Sequence, residues 1–379
     1  VQFRSLVGIK PDRWYFSLMN FWFILFLWLG FSGIAGGLVA QNDSSSTWRF
    51  GFYADVYSAW DFPQPAHFER SPYAFNHNRQ GIPQFNQWVA KLAYAKSGLS
   101  IDLSVHVGTY PTDNYAAEPL GLRWIEQAQI SYAFGEDQRW SISGGLMPST
   151  VGFESARSKE NPSLSRSLVA EMSPYFLTGG LVSYKASPSL SLGMVAATGW
   201  QRIVPVESNS LATFGAHMDL SLTNELAFHA AWLAGTEDPD SSRRWRVFQN
   251  LYLTGPLAKN QHFWMGLDVG MQQAAPQNST WQVWGGAVAI WQMHWHPKWR
   301  SHLRGEWFLD ENHVVVRASN EAFHVLGFSA GLDFLSNKQQ MWRIEIRNRW
   351  SLGNDQPGLS EVWSLFFAWQ IGHDFSLKN

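Results

Sequence analysis

From residue 48 onward, apolar and polar side chains take turns along the chain. Trp48, Phe50, Phe52, Ala54 and Val56 alternate with Arg49, Gly51, Tyr53 and Asp55, the period of two expected of a β-strand with one apolar and one polar face. The alternation returns at 84–95, 99–109, 122–134, 140–146, 176–185, 190–200, 212–222, 226–234, 245–253, 263–271, 281–295, 299–307, 322–334, 342–350 and 363–375. These stretches predict about sixteen strands, an even number.

The connections alternate too. Short ones (96–98, 135–137, 187–189, 223–224, 256–261, 296–298, 336–340) take turns with long ones (61–83, 110–121, 147–175, 201–211, 235–244, 272–280, 310–321, 352–360). That is the arrangement of an all-β, transmembrane, antiparallel up-and-down barrel with short periplasmic turns and long outer loops. A soluble sandwich would also alternate, but it would carry its aromatics in mid-strand. Here Trp48, Trp140, Trp295, Trp299, Trp342 and Phe375 fall on apolar faces at the turn side, and Trp60, Trp200, Trp245, Trp281, Trp307, Trp350 and Trp363 at the loop side. Two aromatic belts fit the two interfaces of a membrane. No strand edge can stay unpaired in hydrocarbon, so the wall must close, and about sixteen strands enclose a watery lumen. Glu126 and His324 fall on the apolar side of this register and call for a bulge or an interface position.

Composition sharpens this picture at the N-terminus. Residues 21–40 are almost wholly apolar, follow Arg4, Lys10 and Arg13, and end Leu-Val-Ala before Gln41, which reads as a secretory signal peptide over 1–40. A retained helix is the competing reading, because about 20 apolar residues span a bilayer. The rest divides into a periplasmic lead at 41–47, the barrel at 48–375 and a tail at 376–379. Without 1–40, 25 basic residues stand against 29 acidic ones, so nothing draws nucleic acid. The chain has no cysteine, hence no disulfide framework and no thiolate metal site.

The longest break in the alternation, 147–175, is where chemistry collects. A loop of this length in a compact fold is usually functional, and this one carries Glu154, Arg157, Lys159, Glu160, Arg166 and Glu171. It is expected to fold into the lumen over 148–175 as a constriction, joined there by Arg79, Glu118, Arg202, Arg243 and Arg244. Arg343, Glu345, Arg347 and Arg349 form a lumen charge ladder that either pairs internally in water or biases passing solutes toward anions. Gly327-Phe328-Ser329-Ala330-Gly331 has the spacing of a nucleophile elbow but lies within a strand, without the turn and helix that chemistry needs. His294 with His296, and Glu237-Asp238-Pro239-Asp240, are weak candidate metal ligands, better explained as a polar rim and an acidic loop. No catalytic residue, metal or cofactor is expected.

Six segments, 73–79 (Tyr-Ala-Phe-Asn-His-Asn-Arg), 113–119 (Asp-Asn-Tyr-Ala-Ala-Glu-Pro), 152–156 (Gly-Phe-Glu-Ser-Ala), 165–175, 199–203 (Gly-Trp-Gln-Arg-Ile) and 235–246, resemble the second β-barrel porin family, called OmpL-like. The likeness covers nearly all of 48–375. It implies an outer-membrane protein of a Gram-negative bacterium with a pore role, and all six segments fall at outer loops, where they are expected to pack together. The chain departs from many such barrels in having Ser-Leu-Lys-Asn after Phe375.

The expected function is passive diffusion of small hydrophilic solutes or ions. Outer-membrane lipid and a possible homo-oligomer are the expected partners. The rivals are a plugged barrel with an adhesin, structural or binding role and a membrane-embedded hydrolase.

Overall fold

The computed structural model describes residues 46–62, 68–70, 73–316, 322–353 and 361–378. Its strands are β1 (Thr47–Phe62), β2 (Gln84–Lys96), β3 (Leu99–Val107), β4 (Ile125–Phe134), β5 (Trp140–Pro148), β6 (Phe176–Ser187), β7 (Leu190–Ala197) and β8 (Thr213–Ser221), then β9 (Ala227–Gly235), β10 (Arg246–Ala258), β11 (Gln261–Gln273), β12 (Trp281–His296), β13 (Trp299–Asp310), β14 (Phe323–Leu335), β15 (Gln340–Ser351) and β16 (Glu361–Lys378). Two short helices, α1 (Thr109–Asn114) and α2 (Leu168–Glu171), lie in loops. Each strand pairs antiparallel with its sequence neighbours, and β1 closes on β16 from Thr47 opposite Lys378 to Phe62 opposite Trp363. The alternation thus becomes a closed sixteen-stranded barrel with no free edge.

The differences from expectation are local. β16 runs to Lys378, so the expected tail continues the last strand. The proposed signal peptide and most of the lead lie outside the described residues, and Thr47 already belongs to β1. Glu126 is the extra residue of a bulge: Ser104 faces Gln127 while Val105 faces Ile125, which turns Glu126 inward. His324 stays on the outer face, where its Nε2 accepts the Trp307 indole N–H at 2.8 Å. Trp48, Trp140, Trp245, Trp281, Trp295, Trp299, Trp342, Trp363 and Phe375 are exposed on that outer face. Trp200 is not with them. It lies beyond the end of β7 and packs inward, edge-on to Phe248 and Trp284.

That inward Trp200 belongs to a feature the polar-inside pattern did not predict, an apolar core inside the barrel. Val195, Ala231, Leu233, Phe248, Trp284, Val288, Ile290, Phe308 and Val325 come from the wall, and Val151, Leu168, Val169 and Met172 from the loop between β5 and β6. Both faces of β12 are apolar in its middle (Trp-Gly-Gly-Ala-Val-Ala-Ile), the mark of a strand covered on both sides. Burying Leu168 and Val169 contributes ~1.5–3 kcal/mol each to holding the loop down. Ser167 caps α2 by accepting the Ala170 N–H at 3.2 Å.

Candidate functional site

The loop between β5 and β6 crosses the lumen, and the two walls it meets differ. On one side stand β13, β14 and β15. Arg304 and Glu345 pair at 2.9 Å, Arg347 and Glu306 at 2.5 Å, and Arg343 and Arg300 each reach Asp333 at 2.7 Å. The first two pairs reach across β14, whose inward positions there are Gly327, Ser329 and Gly331. Those residues must be small. A Cβ at Gly331 would meet the His302 ring at 2.1 Å, and one at Gly327 would meet Glu306 Oε1 at 2.8 Å. The Gly-Phe-Ser-Ala-Gly run therefore serves wall packing.

Five of these charges also hold loop backbone. Arg343 donates to the carbonyls of Ser158, Pro162 and Ser163 at 2.6, 3.1 and 3.1 Å; Arg304 donates to Ser165 O at 2.5 Å and Arg347 to Arg166 O at 3.0 Å. Glu345 accepts the Leu164 and Ser165 amides, both at 2.9 Å, and Glu306 the Leu168 amide at 2.8 Å. Guanidinium groups meet carbonyls and carboxylates meet amides, the charge-assisted pairings that are strongest. The ladder is thus not a solvated surface: Arg343, Glu345, Arg347 and Arg349 are at most 5% exposed. Arg349 serves the β1–β2 loop instead, donating to Tyr73 Oη at 3.2 Å beside the buried Asp61–Arg70 pair.

The opposite wall carries no charge pair between its own strands. On β4 and β5, Gln127 Nε2 donates to Gln129 Oε1 at 3.0 Å, Gln129 Nε2 to Ser131 Oγ at 2.9 Å, and Ser143 Oγ to Ser131 Oγ at 2.8 Å. Ser141 lies opposite Ser183 of β6 and extends the row. All of these inward side chains are half-buried, so water reaches them. At the loop-side end of this wall Arg157 reaches over from the loop to pair with Glu126 at 2.5 Å, with Glu160, half exposed, beside it.

The other expected constriction residues do not gather at one point. Arg166 is 1% exposed and lies between the Tyr110 and Tyr175 rings, 4.6 and 3.6 Å from their centroids, donating to Ala156 O. Glu154 accepts the Ser167 amide and hydroxyl, and Glu171 the Phe75 amide at 3.0 Å; burial raises both carboxyls above their ordinary range. Glu118 is buried and accepts the Val204 amide at 3.0 Å. Arg79 pairs with Asp113, Arg202 with Glu237, Arg243 with Asp240 and Arg244 with Asp238, all among the outer loops. Burial also raises Glu237, which accepts the Trp200 amide at 2.6 Å. Glu171, Glu118, Glu237 and the Arg79–Asp113 and Arg202–Glu237 pairs fasten loop to loop, as do Asn114 Nδ2 to Phe75 O and Tyr175 N to Gln201 Oε1, whereas Arg243–Asp240, Arg244–Asp238 and Glu154–Ser167 brace single loops. Among the described residues no three His, Asp or Glu side chains converge as metal ligands.

A closed sixteen-stranded wall with aromatic belts, outer loops packed together and one loop across the lumen defines the class of outer-membrane β-barrel channels. The chain belongs to the family described as "Putative beta-barrel porin-2, OmpL-like", whose sequence profile matches residues 48–363. It is an outer-membrane porin channel of a Gram-negative bacterium. Solved structures of similar fold include an anion-selective porin from Comamonas acidovorans (TM-score 0.57, 8% identity, 87% of this chain and 100% of that one). The outer-membrane channel DcaP of Acinetobacter baumannii is also similar (0.56, 10%, 87% and 97%). So is OmpT of Vibrio cholerae, solved in a trimer form (0.53, 10%, 86% and 99%). At these identities the likeness is one of fold. No curated protein matches the chain in sequence.

Proposed function

We propose that small hydrophilic solutes diffuse passively through the space between the β4–β6 wall and the loop over 149–175. One observation carries this reading: Gln127, Gln129, Ser131, Ser141, Ser143 and Ser183 on the inward face of β4–β6 are half-buried, whereas Arg304, Glu306, Arg343, Glu345 and Arg347 on β13 and β15 are covered. Arg157, Glu126 and Glu160 border the passage, and the ladder acts as the loop's anchor. No reaction belongs to this reading. Ser329 sits between Arg304 and Arg347 on a continuous strand, without an elbow. Lipid meets the exposed aromatic face, and the trimer form of the similar Vibrio barrel supports a homo-oligomer.

The absence of native cysteine makes the test clean. Ser143→Cys and Ser329→Cys place one thiol on each wall, both inward. A charged methanethiosulfonate reagent should cut the single-channel current of Ser143→Cys and leave Ser329→Cys unchanged. Equal modification of both, or an intact current through a fully modified Ser143→Cys channel, would overturn this path. A folded protein that carries no current would favour the plugged barrel.

A further inference from the structure

The loop does more than narrow the lumen: it removes from it the charges that would sort ions. Arg304, Arg343, Arg347, Glu306 and Glu345 are all directed at loop backbone or at one another. What stays in contact with water in the middle of the far side is mainly amide and hydroxyl, with Leu181 opposite Ser143. We propose that the passage favours uncharged solutes rich in hydroxyl or amide groups, of about sugar size, over ions of either sign; this rests on the path assigned above.

The chemistry of the wall supports it. A Gln side chain has two N–H donors and an oxygen with two lone pairs. Gln129 uses one donor toward Ser131 and one lone pair toward Gln127, which leaves a donor and an acceptor for the solute. Ser131 and Ser143 add hydroxyls that both donate and accept. A polyhydroxylated solute can therefore exchange its water hydrogen bonds for wall hydrogen bonds one at a time. An ion finds no ring of charge or strong dipoles on this face to replace its hydration, the device by which channels select ions.

The charges that border this wall are mostly paired and leave a small acidic excess. Asp102 on β3 lies opposite Gln129, and Lys185 lies at the turn end of β6. Lys91 pairs with Asp374 at 3.0 Å, His229 contacts Asp219 at 2.7 Å, and Arg157 pairs with Glu126. Glu160 is half exposed within 3.5 Å of Arg157. Five carboxylates thus stand against three cationic groups, and they are spread around the passage rather than gathered in a ring.

Vesicle swelling with the purified full-length protein tests the inference, comparing glucose with gluconate and with protonated glucosamine, alongside the reversal potential in a potassium chloride gradient. Glucose should enter several-fold faster than either ion, with a reversal potential showing at most a slight cation preference. The variant Ser131→Asp/Ser143→Asp places two carboxylates on the wall and should turn the channel cation-selective. Should that pair fail to fold, the isosteric Gln129→Glu serves in its place. If the wild type admits gluconate or glucosamine faster than glucose while the carboxylate variant still shifts the reversal potential, the solute class is overturned and the path stands. If glucose is preferred but added carboxylates change nothing, the path itself is overturned.

Discussion

The β13–β15 wall and the β4–β6 wall face each other across one lumen and obey the same alternation, yet one is dense with covered charge while the other, apart from Glu126 and Lys185 at its ends, is neutral and wet. Polarity on the inward face therefore does not mark where water runs. Charges that sit among a loop's backbone groups are structural, and the residues left to meet solutes are those too modest to hold a loop. Glu345 gives the sharpest way to break the contrast. Glu345→Ala leaves Arg304 without its closest carboxylate and the Leu164 and Ser165 amides without their acceptor. Losing one member of a buried pair costs about 3–5 kcal/mol. The strands keep their own ladder, so the barrel should still form while the loop detaches. Trypsin should then cut after Arg157, Lys159 or Arg166 in the folded protein, and the single-channel conductance should rise severalfold. A protease-resistant loop with wild-type conductance would refute the anchor.

Most of the wall was legible in the sequence, because a strand with a lipid side and a water side must alternate. Even the Glu126 bulge announced itself as a charge out of register. The interior was less legible. Period two distinguishes one face from the other but cannot say that a loop will cover a face, so the ladder reads as solvated and Trp200 reads as belt. The apolar centre of β12 was the available sign, since a strand with one wet face should not carry Val288 and Ile290 inward. Arg166 and Glu154 could not be placed from the chain alone: they hold Tyr175 and Ser167, contacts set by how the loop folds back on itself.

Where the loop reaches the neutral wall, the expected effects are smaller. Arg157 and Glu126 meet at side-chain exposures of 16% and 9%, so water weakens the pair. Arg157→Ala should loosen the loop edge by about 1–2 kcal/mol. Glu126 and Glu160 would then face the passage uncompensated. Conductance should rise modestly and the reversal potential move toward cation preference. A reversal potential identical to wild type would place this pair away from the path.

The least effect is expected at the outer rim, which touches neither wall. Asp240 is held by hydrogen bonds from Arg243 and from the Ser210 amide, and its carboxyl is lowered to about 2. An unperturbed Asp titrates near 3.9. A lowered carboxyl favours the folded loop above its unfolded value, and the benefit disappears as pH falls through about 2. The rim contact should therefore persist at pH ~3, where a free Asp is mostly protonated. Carbon-detected NMR of labelled aspartate should place the Asp240 midpoint near 2 in the wild type and nearer 4 in Arg243→Ala. Conductance and ion preference should stay the same in both proteins at neutral pH. A wild-type midpoint near 4 would mean the latch is absent, and a change in ion preference would mean the rim, and not the contrast between the two walls, governs what passes.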